Sequence, residues 1–148
     1  MGNASWKARA RRLPGALPAL LPKGGPQLKH TIEKRDDDTA IVRVTGEVDA
    51  YSAPDLRAAF AELEQQEIHF IVADLTRVPF IDSTGLGVLN GVRKRAEDAG
   101  GKLVGVCRAA NVRKVFETTG FLQLITLHET EAEALEDIGR AKEGGSDG

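Results

Sequence analysis

Ile68 to Leu75 is a nearly continuous apolar run of strand length, interrupted only by His69 and Asp74, and it is flanked on both sides by helical spacing. A run this short and this apolar belongs in a sheet where both faces of the strand are covered. It reads as the central strand. Upstream, Leu56, Ala59, Phe60 and Leu63 recur at i, i+3, i+4 and i+7, the spacing of one buried helical stripe, behind a helix start at Ser52-Ala-Pro-Asp55. Downstream, Leu86, Leu89, Val92 and Ala96 mark a second helix that begins near Ser83 and stops at Gly100-Gly101.

The remainder extends this alternation. Leu28 to Arg35 alternates, Asp36-Asp37-Asp38 is turn-like, and Thr39 to Thr45 is a β-branched run, which together predict a hairpin. Lys102 to Cys107 resumes as strand, and Asn111 opens a third helix with Val112, Val115 and Phe116 on one side, ending around Gly120. Leu122 to Leu127 predicts a last short strand, and Thr130 to Glu133 is a T-x-x-E capping box for a final helix carrying Ala132, Leu135 and Ile138. Parallel strands need crossover helices, so the alternation predicts an α/β fold with a mixed, mostly parallel sheet of four to five strands and about four helices. With 148 residues there is room for one core, placed at residues 28–141. Residues 142–148, ending Gly144-Gly-Ser-Asp-Gly148, read as a disordered tail.

Charge is divided unevenly along the chain. Residues 1–27 carry Lys7, Arg9, Arg11, Arg12 and Lys23 and no acid, so a chain of net charge -2 has +5 in this stretch and -7 in the rest. An acidic domain repels phosphate backbones, which argues against direct nucleic-acid binding. Pro14, Pro18 and Pro22 interrupt the leucine-rich stretch before it reaches the ~20 residues of a membrane span, so no membrane insertion is expected. These residues read either as a flexible basic arm or as an over-extended start. Cys107 is the only cysteine, which rules out an internal disulfide, suits a reducing cytoplasm, and predicts a thiol buried in a strand.

The segment from Asp74-Leu75 through Pro79 to Asp82-Ser83-Thr84-Gly85-Leu86-Gly87 leaves the central strand, turns at a proline and enters a helix, where ligand and partner sites concentrate. Ser83 falls at or beside the N-cap, and its ordinary use there is to accept a backbone N–H. A hydrolase reading fails because Ile81 stands where G-x-S-x-G needs its first glycine. His30, His69 and His128 lack the spacing of a metal or catalytic cluster, and no phosphate-binding G-x-x-x-x-G-K-[ST] loop occurs. No catalytic, cofactor or metal residues are assigned.

Residue by residue, this segment resembles the anti-sigma factor antagonists, members of the family that shares the sulfate transporter and anti-sigma antagonist (STAS) domain. Their pattern is a strand ending D-L or N-L, an interval, then an apolar residue followed by D-S-[ST]-G-L-G, here Ile81 to Gly87. Gly46-Glu47-Val48-Asp49 is similar to the family's G-E-[LIV]-D, and Asn111 to Gly120 to its third-helix segment, so the resemblance covers about Leu28 to Ile138.

The resemblance implies a bacterial, cytoplasmic phosphoacceptor that is not itself an enzyme and needs no cofactor. Its unphosphorylated form would bind an anti-sigma factor with serine kinase activity and free a sigma factor. Phosphorylation of Ser83 would block that binding, and a serine phosphatase would reset it. Thr84 occupies the variable [ST] position. Asp49 and Asp82 would contact or orient the kinase, or else face solvent at a strand end and before a cap. Gly85 and Gly87 would admit a close approach by the partner or a neighbouring strand, or serve helix-sheet packing, and Leu86 would be an interface contact or core. The phosphate would sit on the free N–H groups and positive end of the helix without unfolding the domain. The rival within the family is a cytoplasmic STAS subunit of a transporter or signalling scaffold, without reversible phosphorylation. A small ligand at the Ser83 crevice is a third reading.

Overall fold

The computed structural model describes residues 28–144. The predicted hairpin is β1 (Lys29–Asp36) and β2 (Thr39–Thr45), antiparallel, with Lys29 opposite Thr45 and Lys34 opposite Ala40. The chain continues through α1 (Ala53–Gln65), β3 (Phe70–Arg77), α2 (Ser83–Asp98), β4 (Lys102–Val106) and α3 (Ala110–Thr118). A 3₁₀ turn (Phe121–Gln123), β5 (Leu127–His128) and α4 (Glu131–Gly144) complete it. The sheet order is β1-β2-β3-β4-β5, with β2 to β5 parallel, so β3 is central as the apolar run predicts.

Every crossover steps the same way across the sheet, and such connections are right-handed, which places α1, α2 and α3 on one face. The period of two then sorts the strand residues. Ala40, Val42, Ile71, Ala73, Leu75 and Leu103 pack with Leu56, Phe60, Leu63, Leu86, Leu89 and Phe116 in the main core. Ile41, Val72, Val104 and Val106 meet Ala134 and Ile138 of α4 on the opposite face. Two covered faces explain why residues 68–75 show no alternation.

Ion pairs tie α4 to the sheet. Arg43 donates to both carboxylate oxygens of Glu131, at 2.7 and 2.9 Å. These bonds, with one from the Asp74 carboxyl, hold the Glu131 pKa down at about 2, whereas burial, then the neighbouring Glu131, pushes the Asp74 carboxyl up. Further along, Asp137 accepts from Lys102 at 2.7 Å and lies 2.8 Å from Nε2 of His128.

Several expectations change. The buried stripe of α4 is Ala134, Asp137 and Ile138, with Leu135 half-buried and Ala132 exposed, because Ala134 and Ile138 pack on Ile41, Val72, Val104 and Val106 of the sheet, and Glu131 on the same side pairs with Arg43. Leu122 to Leu127 is not a strand along its length: Leu122 and Gln123 lie in the 3₁₀ turn, the Leu124 and Ile125 N–H groups close on Phe121 O at 2.9 and 2.8 Å, and only Leu127–His128 pairs as strand. Residues 142–144 belong to α4 and not to a tail. Lys142 reaches Asp36 at 3.2 Å and Asp38 at 2.8 Å. Cys107 is buried, one residue beyond β4. The arm at 1–27 and the tail at 145–148 lie outside the described residues, among which no helix is long and apolar enough to cross a membrane.

Candidate functional site

The C-terminal ends of β2, β3 and β4 feed loops that meet at one end of the sheet. Val48 and Ile81 form a single parallel bridge: Val48 N–H donates to Phe80 O at 2.8 Å, and Asp82 N–H donates to Val48 O at 3.0 Å. From the other side, Asn111 Nδ2 donates to Pro79 O at 2.7 Å. The stretch Pro79 to Asp82 is therefore held by both neighbouring loops.

Asp49 and Ser52 fix the loop after β2. Asp49 Oδ1 accepts from the N–H groups of Tyr51 and Ser52, each at 3.0 Å. The buried Ser52 hydroxyl donates to Glu47 O at 2.8 Å and accepts from Asp49 N–H at 2.9 Å. Ser52 occupies the N-cap of α1, but its hydroxyl serves the loop and not the helix. Asp49 is thus a structural clamp whose carboxylate is already engaged.

Asp82 is the N-cap of α2, and its extended backbone lets Oδ1 accept from Thr84 N–H at 2.9 Å and Gly85 N–H at 3.1 Å. Of the two placements expected for Ser83, at or beside the N-cap, the structure has the second: it is the first helical residue, and its hydroxyl caps nothing. Its hydroxyl is exposed and has no hydrogen-bond partner among the described residues. The expectation of a ready cradle for phosphate changes. Of the four amides that a helix start leaves open, Asp82 N–H bonds Val48 O, and those of Thr84 and Gly85 bond the Asp82 carboxylate. A phosphate on Ser83 would find its own amide and the helix dipole, with a carboxylate one residue away.

The remaining motif residues separate by burial. Gly85 is buried, and a Cβ there would stand 2.3 Å from Cγ1 of Val48 and 3.0 Å from Cγ1 of Ile81, so glycine is required by packing inside the domain. Leu86 is 1% exposed and belongs to the core. Neither presents a side chain to a partner, which removes both from the surface set. Thr84 and Gly87 are exposed, and nothing lies within 4 Å of where a Gly87 Cβ would be, so no strand approaches it.

Periodicity passed over two residues of this surface. Tyr51 is 86% exposed and Phe80 45% exposed, on the two loops that the Val48–Ile81 bridge joins. The available signal was an aromatic in a strand-to-helix loop, which a search for buried stripes ignores. The histidines with partners lie elsewhere: His30 pairs with Glu62 and His128 with Asp137.

The sheet order, the unequal helical layers and the Asp-capped loop beside the central strand define an open α/β domain of the STAS class. The chain belongs to the STAS domain family, whose model matches residues 30–134. It is 35% identical over 102 residues to an anti-sigma-B factor antagonist of Listeria monocytogenes, covering 69% of this chain and 90% of that protein. Among solved structures, an anti-sigma factor antagonist from Mycobacterium paratuberculosis superposes with a TM-score of 0.69 at 26% identity, covering 80% of this chain and 97% of that one. SpoIIAA of Bacillus, solved in its phosphorylated form, gives a TM-score of 0.58 at 25% identity over 74% of this chain and 99% of that one.

Proposed function

We propose that this protein is an anti-sigma factor antagonist working by partner switching, with Ser83 as the phosphoacceptor. The observation that carries the reading is the Ser83 hydroxyl: exposed, unbonded, and held at the first residue of α2 by a loop tied down from both sides. Its place in D-S-T-G-L-G and the similarity to SpoIIAA, which exists in a phosphorylated form, support the assignment.

In this reading the unphosphorylated, cytoplasmic domain docks its Ser83 end on an anti-sigma factor with serine kinase activity and so frees a sigma factor. Thr84 and Gly87 lie in that contact. Asp49 and Asp82 act by positioning, since their carboxylates hold the two loops in place. Transfer of phosphate adds about -1.5 to -2 charge to a surface that was neutral at that point. A cost of about 2.7 kcal/mol at the interface lowers affinity a hundredfold, so local repulsion suffices and no refolding is required. A serine phosphatase restores the hydroxyl.

The test is to incubate the full chain with ATP and each serine-kinase-like anti-sigma factor of its source organism, mapping phosphate by mass spectrometry. Phosphate on Ser83, none on Ser83→Ala, and lost binding in Ser83→Asp are expected. Absence of both binding and phosphorylation across the whole set would refute the switch and favour a transporter-subunit or scaffold role.

A further inference from the structure

We infer that Tyr51 and Phe80 are the apolar anchors by which the kinase partner grips this domain, each seated in an apolar pocket of the partner surface. This rests on the reading of Ser83 as phosphoacceptor and goes beyond it by naming the residues that carry the affinity.

Three large apolar side chains stand exposed among the described residues: Tyr51, Phe80 and Leu124. Leu124 lies in the connection that enters β5, the edge strand, two strands away from the β3 that leads to Ser83. The two aromatics share the Ser83 end. Phe80 is three residues before Ser83, and its carbonyl takes the N–H of Val48 at 2.8 Å, so its loop and that of Tyr51 move as one body.

Tyr51 is presented rigidly. Its own N–H is bound by Asp49 Oδ1 at 3.0 Å, and the next residue, Ser52, is buried and bonded to Glu47 O. An aromatic with two side-chain torsions on a fixed loop loses little entropy on docking, which is why tyrosine is over-represented among residues that dominate interfaces. Nothing inside the domain requires an aromatic at a position 86% exposed.

Reach to Ser83 identifies the partner. Charge at this end is mixed: Glu47, Asp49, Asp55 and Asp82 stand beside Arg57, which lines one groove with Thr84 and Gly87, and Arg77. A kinase that reaches Ser83, three residues beyond Phe80, must cover the end of the domain that carries both aromatics, which commits them to that partner.

Tyr51 is the only tyrosine in the chain, so 3-fluorotyrosine gives a single fluorine probe at the proposed anchor. The full-length labelled protein is titrated with each purified serine-kinase-like anti-sigma factor of the source organism, and affinities are measured for Tyr51→Ala, Phe80→Ala and Leu124→Ala. With the kinase that phosphorylates Ser83, the fluorine resonance should shift and broaden. Tyr51→Ala and Phe80→Ala should each bind at least about tenfold more weakly. Leu124→Ala should stay within twofold, and all three should melt within a few degrees of the parent.

If that kinase binds and phosphorylates the parent while the resonance stays put and both aromatic variants bind within twofold, the inference falls and the Ser83 assignment stands. If no kinase binds or phosphorylates the parent, both fall together. A resonance that moves with protein concentration, or on deletion of residues 1–27, before any kinase is added would assign the aromatics to a second copy or to the N-terminal segment and also overturn it.

Discussion

Replacing Asp82 by alanine should destabilise the domain by about 1.5 kcal/mol. The change removes both hydrogen bonds that close the start of α2, at 2.9 and 3.1 Å. Loss of an N-cap costs ~1 kcal/mol, and loss of a negative charge facing the positive end of a helix adds ~0.3 to 1 kcal/mol when partly exposed. For a domain of about this size, 1 kcal/mol moves the melting temperature by roughly 4 °C, so Asp82→Ala should melt about 6 °C lower. Asp82→Asn keeps the acceptor and loses only the charge, and should fall by about 2 °C. Calorimetry at low salt gives both shifts, and added salt should narrow the gap between Asp82→Asn and the parent. An Asp82→Ala protein that melts within 1 °C of the parent would refute the assignment of the cap. An Asp82→Asn protein as unstable as Asp82→Ala would show that charge, not hydrogen-bond geometry, closes the helix.

Three further outcomes follow from the same geometry. Ser83→Ala should leave the stability within about 0.5 kcal/mol of the parent in denaturant titration, because an exposed, unbonded hydroxyl is being removed. Gly85→Val should cost at least about 2 kcal/mol by forcing Val48 and Ile81 aside. Val48→Ala should recover part of that loss in a double-mutant cycle, and additive losses would count against the contact. Glu131 has its pKa held at about 2 against an ordinary 4.5, so its contribution is complete above pH 4.5 and disappears as the pH falls toward 2. Glu131→Gln should therefore lose less stability over that acid range than the parent does, as read by chemical denaturation at stepped pH.

The sheet was legible wherever one residue's burial follows from its neighbours' spacing. The hairpin, the central strand and the stripes of α1 and α2 are local patterns, and the observed cores fill from those same residues. What escaped depended on contacts between distant segments. The phase of α4 is set by contacts with the sheet, Ala134 and Ile138 against Ile41, Val72 and Val104 with Glu131 on Arg43 88 positions away, which no helical wheel contains. Residues 122–127 are apolar enough for a strand, yet the Phe121 carbonyl takes the Leu124 and Ile125 amides and closes a turn first.

The site divides in the same way. The motif located Ser83, but Asp82 and Ser83 are both good cap residues, and only the extended backbone of Asp82, with φ -114° and ψ -176°, decides which one caps. For Gly85 the motif left a partner's approach and packing inside the domain both open, because Val48, which fills that space, comes from a different loop. Tyr51 and Phe80 carry no periodic signal at all, since loop residues answer to no repeat.

The strands lie across the sheet in the order in which a ribosome makes them, and this gives the domain a direction of assembly. Each new strand adds to the one free edge its predecessor leaves, so no strand has to be inserted between two others and most pairings are short-range along the chain. By the time β4 has emerged and paired, the Val48–Ile81 bridge and the Asp82 cap can both form, while α4 has yet to emerge. The serine end of the domain is thus begun from the N-terminal side, gains the Asn111 bond to Pro79 O as α3 follows, and the last helix arrives as a cover for the opposite face, sealing Ile41, Val72, Val104 and Val106.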